Sequence, residues 1–406
     1  MQSRAIRASV LVAALGYFVD IYDILLFSIV RAASLADLGV AKDQITSEGI
    51  TLFNWQMSGM LLGGILWGML GDKRGRLSVL YGSILMYSLA NIANGFVHSL
   101  PLYALFRFIA GVGLAGELGA GVTLVSEIME KETRGYGTMI IATVGVIGGV
   151  VASFVGTEFS WRVAYIVGGA MGLVLLCLRI GVKESGMFHS VQQRDVSRGN
   201  FLNLFTRGAT LLKYLNCILI GLPIWCVVAI FITLAPEIGK ALGMAIVPTA
   251  GGAVMWCYIG LALGDFGSGY ISQRLRSRKK TMMLFMTLTA LLVLLCVMGR
   301  GMSSTMFYAL CLGLGVSVGY WAVFVTNAAE QFGTDIRATV TTTVPNFVRG
   351  AVVPITLGFN ALRQTSLGIL GSAAVLTFGI LALGMLALSR LDETFGKELD
   401  YIEGQV

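Results

Sequence analysis

"GMLGDKRGR", residues 68–76, is a short charged break between two apolar stretches of the sequence. It holds Asp72 and three basic side chains, Lys73, Arg74 and Arg76. The apolar residues before it run from about 50 to 71, and those after it run from about 77 to 97. A helix needs about 20 apolar residues to cross a bilayer. The stretch therefore predicts two membrane-spanning helices joined by a tight charged turn.

The same alternation of apolar stretches and charged breaks extends along the whole chain. Of its 406 residues, 56% are hydrophobic and 13% are charged, whereas about 25% of the residues in a soluble domain are charged. A soluble protein of this length would need far more polar surface. The composition therefore predicts an all-α polytopic membrane protein.

Twelve membrane spans are predicted from the apolar stretches. The first is a retained helix and not a signal peptide, because its apolar residues continue to Val30, past any cleavage site. The spans are 6–31, 50–71, 77–97, 101–127, 136–157, 161–182, 210–235, 249–273, 280–299, 303–330, 338–361 and 367–390.

The longest polar interruption divides these spans into six and six. It predicts four parts: an N-terminal bundle (1–183), a cytoplasmic linker (184–209), a C-terminal bundle (210–390) and a cytoplasmic tail (391–406). The bundles also resemble each other. "GMLGDKRGRLSVLYGSIL" follows the second span, and "GYISQRLRSRKKTMMLFM" follows the eighth. Parallel halves around a central site are a common plan in transporters.

The basic residues predict which side of the membrane each loop faces. Most loop lysines and arginines fall on one side, which is therefore the inner side and carries both termini. The net charge of +7 reflects this bias and not a nucleic-acid partner. Short loops favour a bacterial inner membrane, and we expect a monomer in the lipid bilayer. The basic loop residues on the predicted outer side are Arg31, Lys42, Arg162, Lys240, Arg300 and Arg363.

Four stretches together resemble the major facilitator superfamily. "GMLGDKRGR" resembles its signature between helices two and three. "RFIAGVGLAGELGAGVTLVSE" (107–127) resembles the fourth helix of metabolite–proton symporters and sugar porters, and "EQFGTDIRATVTTTVPNFVRG" (330–350) resembles the counterpart in the second half. "DETFGKELD" (392–400) resembles the tail after helix twelve. The resemblance covers the whole chain and implies twelve helices in two pseudo-symmetric six-helix bundles with alternating access.

Charges at the inner helix ends are expected to hold one conformation and release in the other, as a conformational latch. A carboxylate near a helix N-terminus and among basic groups is favourable there, and glycine permits a tight turn. The alternative is an ordinary solvated charged loop. The predicted latch residues are Gly68, Asp72, Arg76, Glu127, Arg134, Glu330 and Arg337.

"GVGLAG", residues 111–116, spells a glycine pattern found in dinucleotide sites. Such a site needs a strand before it and a helix that starts at it. This stretch lies inside an apolar helix, so we interpret its glycines as helix-packing residues.

Asp20 and Asp23 lie inside the apolar stretch "GYFVDIYDILLFSIV". Ionisable groups at membrane depth are expensive and mark functional sites by default. Their spacing places them on one helix face, and "VDIYDIL" resembles the first helix of metabolite–proton symporters and aromatic-acid–proton symporters. Two carboxylates in a low dielectric do not both ionise cheaply, so we expect them to couple transport to protons. The alternative is a helix cap or a wet outer vestibule.

Further charges are predicted at membrane depth. Arg349 is a candidate for binding an anion, since guanidinium grips carboxylates bidentately, or else for pairing with a buried carboxylate. Glu117 is a second proton site or a structural partner of Arg107 or Arg349. Arg107 and Asp265 are expected as buried charge partners, Asp265 with the inner loops.

Polar and aromatic residues in the helices are candidates for lining a substrate cavity. Aromatic residues in membrane helices are more often packing or interface residues. The candidates beside Arg349 are Tyr22, Trp55, Gln56, Trp225, Tyr258, Trp321, Asn327 and Asn346.

The resemblance favours a proton-coupled symporter of a small polar or anionic metabolite. A proton-coupled exporter and an uncoupled facilitator stay open as alternatives. An enzyme is disfavoured, because no nucleophile–base or metal constellation stands out. Besides the proton we expect no cofactor and no metal, and the expected partners are a small molecule and lipid.

Overall fold

The computed structural model describes residues 2–129, 134–179, 201–333 and 336–397. Side chains at 2–8, 72, 76, 126, 127, 134, 135, 203, 206 and 338 also lie outside this description. Twelve long helical segments, α1 to α12, run along the described chain, and no strand occurs in it. They are α1 Gln2–Asp37, α2 Ile45–Arg74, α3 Arg76–Asn94, α4 Leu100–Leu114 with Glu117–Ile128, α5 Arg134–Glu158, α6 Trp161–Leu178, α7 Gly208–Val227, α8 Ala250–Leu275, α9 Arg278–Met298, α10 Ser304–Val318 with Trp321–Gln331, α11 Arg337–Gly350 with Val352–Leu362, and α12 Gly368–Arg390.

These segments confirm the predicted all-α membrane fold. Each corresponds to one predicted span, and several extend beyond it; α2 continues to Arg74 and α1 to Asp37. Eight segments in the described chain are long and apolar enough to cross a membrane by length and composition alone. The other four include α11, which carries several threonines and is divided into helices of 14 and 11 residues.

Three of the segments are interrupted where the sequence predicted continuous helices. The breaks lie at Ala115–Gly116 in α4, at Gly319–Tyr320 in α10 and at Ala351 in α11. Pro354 follows the last break, and proline removes a backbone donor. In α7 the helix passes into one π-helical turn, Val228–Ile232. Breaks of this kind free backbone groups that need other partners at membrane depth.

The glycine pattern at 111–116 packs helices together. A Cβ added at Gly111 would lie 2.2 Å from the carbonyl oxygen of Gln56 in α2, and one at Gly113 would lie 2.6 Å from the backbone nitrogen of Tyr87 in α3. Such contacts require glycine, since backbones approach this closely only without a side chain. The structure confirms the packing interpretation.

Helices of the first half of the chain meet those of the second half near both ends. Towards the predicted inner side, the Thr123 and Thr341 hydroxyls are 2.7 Å apart. Towards the predicted outer side, the Thr356 hydroxyl donates to Asn54 at 3.0 Å, and the Ser28 and Thr233 hydroxyls are 3.3 Å apart. Contacts between the two halves are therefore present near both ends of the described helices. The division into two bundles, linker and tail stays a prediction, and most of the linker lies outside the described residues.

Candidate functional site

An ion pair between Arg349 and Asp20 lies at the centre of the molecule. Arg349 Nη2 in α11 is 3.4 Å from Asp20 Oδ2 in α1, and both side chains are fully buried. The sequence left open whether Arg349 binds an anion or a buried carboxylate. In the structure Arg349 is next to a carboxylate, and the pair joins the first half of the chain to the second.

Aromatic rings surround the Arg349 guanidinium. Its central carbon lies 5.5 Å from the ring centre of Trp321, 5.6 Å from that of Trp225 and 5.9 Å from that of Tyr17. Rings at this distance attract a cation through their electron-rich faces. The predicted candidates Trp225 and Trp321 are thus both beside Arg349.

The same rings line a small central cavity. Tyr258 of α8 completes the aromatic wall, with Tyr17, Trp225 and Trp321. The cavity volume is about 10 Å³, close to the volume that a single water requires. A substrate the size of a metabolite therefore needs these side chains to move apart.

Asn346 connects the site to the break in α4. Its Oδ1 accepts from Arg349 Nη1 at 3.4 Å. Its Nδ2 donates to the carbonyl oxygen of Ala115 at 2.7 Å and to that of Thr342 at the same distance. One side chain thus orients the arginine and uses the carbonyl freed by the break.

Asp23 faces a different region from Asp20, although the sequence placed both on one face. Its Oδ1 lies so close to Gly168 of α6 that an added Cβ there would be 2.2 Å away. Neither carboxylate oxygen has a hydrogen-bond partner among the described residues. Tyr22 also turns inward and donates to the carbonyl oxygen of Ala164 at 2.9 Å. Asp23 and Tyr22 therefore lie inside the first half of the chain, away from Arg349, and a substrate contact of Tyr22 stays a prediction.

Glu117 pairs with Arg179, not with Arg107 or Arg349 as the sequence suggested. Arg179 Nη1 donates to Glu117 Oε2 at 3.1 Å, and Arg179 Nη2 also contacts Oε1. Both side chains are buried, at 1% exposure. Bidentate geometry and full burial favour a structural role. No local pattern links these residues, since 62 positions separate them.

Arg107 belongs to a network inside the first half. It donates to the Tyr165 hydroxyl at 2.9 Å and to Gln56, and its guanidinium stacks on the ring of Phe27 at 4.1 Å. The Tyr165 and Tyr103 hydroxyls are 2.9 Å apart. Gln56 is thus a partner of Arg107 in this structure, its substrate contact stays a prediction, and Arg107 is buried as expected.

Asp265 caps a broken helix. Its Oδ1 accepts from the backbone N–H of Ala322 at 3.1 Å, in the first turn of the second segment of α10. Carboxylates are favoured at helix N-termini. The expected pairing with the inner loops is therefore replaced by a buried cap.

Two predicted cavity residues lie elsewhere. Trp55 is 47% exposed and packs edge-on against Phe108, so it faces outward from the bundle. Asn327 accepts from the Thr394 hydroxyl at 3.1 Å, near the inner end of α10. Periodicity locates a residue along a helix, but the direction of its side chain depends on how the helix is rotated in the bundle.

Part of the predicted latch can be located. Gly68 lies against α11, where an added Cβ would be 3.3 Å from Thr339 Cα. Glu330 pairs with Arg278, with both carboxylate oxygens 3.3 Å from guanidinium nitrogens. Arg337 donates to the carbonyl oxygens of Ala329 and Phe332. The side chains of Asp72, Arg76, Glu127 and Arg134 lie outside the described residues, so their role stays a prediction.

The tail motif is anchored at the inner end of the second half. Thr394 donates to Glu330 Oε2 at 2.8 Å. Glu393 accepts from the Ser277 hydroxyl and from the backbone N–H groups of Arg278 and Lys279, at the start of α9. Burial opposes ionisation of Glu393, but these hydrogen bonds outweigh burial and hold its pKa below the usual value.

Sequence reasoning missed three residues that the structure brings to these sites. Tyr17 is three residues before Asp20, so helical spacing was a usable signal. Arg179 and Arg278 lie at helix ends, where the positive-inside rule alone accounts for a basic residue.

Comparisons with known proteins agree with this architecture. The chain is 28% identical over 369 residues to the 3-(3-hydroxy-phenyl)propionate transporter of Escherichia coli, covering 87% of this chain and 88% of that protein. It is 25% identical over 399 residues to the "Probable 4-methylmuconolactone transporter" of Cupriavidus pinatubonensis, covering 95% and 90%. A solved proton:xylose symporter superposes with a TM-score of 0.79 at 16% identity, covering 98% of each chain.

The model of the Major Facilitator Superfamily matches residues 13–356. That range includes most of α1, all of α2 to α10 and most of α11. The family match and the names of both relatives indicate a transporter and not an enzyme. With its twelve helices and its central buried pair, the chain belongs to the major facilitator superfamily.

Proposed function

We propose that the chain is a proton-coupled symporter that takes up a small carboxylate with a flat cyclic body. The observation that carries the proposal is the fully buried Arg349–Asp20 pair, enclosed by aromatic rings. The pair lies between the two halves of the chain, where a substrate in alternating access must pass.

Coupling follows from the charges of this pair. The positive charge of Arg349 and the negative charge of Asp20 cancel when no substrate is bound. An anion that joined them would leave an uncompensated negative charge at membrane depth, which is costly. Protonation of Asp20 removes one negative charge and frees the guanidinium for the carboxylate of the substrate. The proton and the anion therefore bind together, and neither alone leaves the site neutral.

Substrate class follows from the groups around the pair. A guanidinium binds a carboxylate through two parallel hydrogen bonds. The rings of Trp225, Trp321 and Tyr258 offer flat apolar faces for stacking. One relative is named as a transporter of 3-(3-hydroxy-phenyl)propionate, which has both a ring and a carboxylate.

The proposed setting is a bacterial inner membrane with both termini in the cytoplasm. The transporter acts as a monomer with two six-helix bundles, and it needs no cofactor besides the proton. Glu117 is assigned to structure in this proposal, because Arg179 occupies both of its oxygens.

The test uses proteoliposomes loaded with a pH-sensitive dye. Benzoate, nicotinate, 3-(3-hydroxyphenyl)propionate, xylose and alanine are added outside. The ring carboxylates should acidify the lumen. Asp20→Asn should keep substrate exchange but lose acidification, and Arg349→Ala should lose binding. Arg300→Ala, on a predicted outer loop, is the matched control and should behave as wild type.

Two results would overturn the proposal. Uptake of a ring carboxylate without proton movement, unchanged in Asp20→Asn, would indicate a facilitator. Acidification by xylose or alanine, with none by the carboxylates, would show that the substrate class is wrong.

A further inference from the structure

A basic cavity lies at the predicted inner end of the molecule, between the two halves of the chain. Its volume is about 620 Å³, which is within the range of small-molecule sites. One wall comes from α5 in the first half, and the others come from the end of α8, the start of α9 and the tail. We call it the basic inner cavity. Its lining includes Tyr136, Tyr270, Arg274, Arg276, Arg278 and Phe395.

Three arginines line the basic inner cavity, and no carboxylate lines it among the described residues. Arg278 is neutralised, because its guanidinium pairs with Glu330 at 3.3 Å. Arg274 donates to the Tyr270 hydroxyl at 3.0 Å. The Arg276 side chain makes no hydrogen bond or ion pair within the described part of the chain. The cavity therefore carries two positive charges that no described carboxylate balances.

The backbone holds Arg276 in an unfavourable conformation. Its φ is 47° at the end of α8, in the left-handed region that favours glycine. No other non-glycine residue of the described chain has a positive φ. Glycine would end the helix with less strain, so the fold alone does not account for an arginine here. Strained residues cluster at functional sites, and this one brings a guanidinium to the wall of the cavity.

An exposed apolar face of α8 leads to the cavity. Leu263, Phe266 and Tyr270 are between 47% and 59% exposed, and their spacing of three to four residues places them on one face with Arg274. Gly267 lies on the same face, and no atom lies within 4 Å of a Cβ added there. The face runs about 16 Å along the helix. Exposed apolar surface of this kind contacts the membrane interior, and here it ends in a basic group.

The chemistry of the cavity and of the face beside it fits a phosphate group on an apolar molecule. Guanidinium groups bind phosphate oxygens through parallel hydrogen bonds. The Tyr270 hydroxyl accepts from Arg274, so its own proton is available to a phosphate oxygen. Basic pockets between membrane helices on the inner side bind anionic headgroups. A free phosphate ion offers the same chemistry, but it would leave the apolar face of α8 without a role.

We propose that the basic inner cavity binds the phosphate headgroup of an anionic phospholipid, whose acyl chains lie along the exposed face of α8. Arg274 and Arg276 hold the phosphate oxygens, and Tyr136 contacts the headgroup from the first half of the chain. Because the lipid touches both halves, it favours the arrangement in which α5 and α8 pack together. The inference does not depend on the proposed symport, since it involves neither the proton nor the substrate.

Thermal unfolding of the delipidated full-length protein in detergent micelles measures binding, because a ligand of the folded state raises Tm. Cardiolipin, which carries two phosphodiesters, is added at increasing concentration, and phosphatidylcholine, which has no net charge, is added in parallel. Cardiolipin should raise the Tm of wild type, whereas phosphatidylcholine should not. Inorganic phosphate and glycerol 3-phosphate at the same concentrations represent a soluble source of phosphate and should leave the Tm unchanged.

Arg276→Gly separates binding from folding. Glycine suits the left-handed backbone, so without added lipid this variant should unfold at the wild-type temperature or above it. Its affinity for cardiolipin should fall about fivefold, and adding Arg274→Gln should bring the loss to about 25-fold, from about 1 kcal/mol for each arginine near a membrane. Arg390→Gln is the matched control and should bind as wild type does, because Arg390 is an exposed arginine on the same predicted side, at the end of α12.

Three kinds of result would overturn the inference. Equal effects of cardiolipin and phosphatidylcholine, or equal losses in Arg276→Gly and Arg390→Gln, would show that the lipid has no specific site here. A rise in Tm with inorganic phosphate or glycerol 3-phosphate as large as that with cardiolipin would assign the cavity to a soluble phosphate. Cardiolipin binding that appears only after Glu398→Gln and Asp400→Asn, which remove the last two carboxylates of the tail motif, would assign the cavity to the tail.

Discussion

Arg31 at the outer end of α1 and Glu237 on the short helix Ala235–Ala241 form an ion pair at 3.0 Å that joins the two halves of the chain. Thr46 donates to the same Glu237 oxygen at 3.1 Å. Arg31 is 6% exposed and Glu237 18%, so solvent screens the pair less than it screens a surface contact. This pair is positioned to close the predicted outer end.

Replacing Arg31 by alanine should favour opening of the outer end. Loss of a hydrogen bond to a charged group removes about 1.5–3 kcal/mol. Spin labels at Lys42 and Lys240, both exposed on this side, should report a larger share of long distances. Arg162→Ala is the matched control, because its pair with Asp37 lies within the first half. An equal shift in both variants would contradict this role of the Arg31–Glu237 pair.

Gly119→Ala should open the opposite end. An added Cβ would lie 2.4 Å from Thr342 Cα, so α4 and α11 must separate. Gly267→Ala is the control, since no atom lies within 4 Å of a Cβ there. Accessibility of a cysteine placed at Thr341 to a thiol reagent should rise in the first variant and stay unchanged in the second. Unchanged accessibility in Gly119→Ala would show that the contact between α4 and α11 tolerates a methyl group without opening.

Glu117→Gln should lower stability strongly, because it leaves the Arg179 charge buried and unpaired. Breaking a buried ion pair in this way costs about 3–5 kcal/mol. Thermal unfolding of the purified protein measures the effect, and Glu117→Gln combined with Arg179→Gln should recover part of it. A stable Glu117→Gln protein without proton coupling would instead make Glu117 a proton site.

Glu393 should make the attachment of the tail depend on pH. Its folded-state pKa is lower than its usual value of 4.5, so its contribution to stability is present above pH 4.5 and is lost as the pH falls through the folded pKa. Protease cleavage of the tail should therefore increase below about pH 4.5. Glu393→Gln should be cleaved readily at neutral pH and show little change on acidification. Wild-type cleavage that is independent of pH would contradict the role of Glu393 in holding the tail against the start of α9.

The helices were predictable from the sequence because each corresponds to a long apolar stretch. The breaks within three of them were not predicted. Gly319 does not differ locally from the other small residues of α10, and Pro354 lies three positions after the break at Ala351 instead of at it. The breaks are stabilised by distant groups, such as the Asp265 carboxylate at the start of the second segment of α10. A local sequence pattern does not predict a hydrogen-bond partner that comes from another helix.

The central site was predictable only in part. Asp20 and Arg349 stood out, because charges at membrane depth are rare. Their contact links residues 329 positions apart, and no spacing rule predicts it. Asp20 and Asp23 are one helical turn apart, yet they meet different neighbours. Asp20 lies beside Arg349 at the central site, whereas Asp23 lies beside Gly168 of α6. Trp55 and Gln56 are adjacent in sequence but lie on different sides of α2.

The neutrality of the Asp20–Arg349 pair has an electrical consequence for the proposed cycle. The empty transporter returns with both charges in place, and the loaded one carries one proton with one anion, so no net charge crosses in either direction. The membrane voltage, worth about 2.3 kcal/mol per charge per 100 mV, then does no work on the substrate. Accumulation depends on the pH gradient alone, about tenfold for each pH unit. A vesicle that has a pH gradient but no membrane voltage should accumulate substrate. A vesicle that has a voltage but no pH gradient should not.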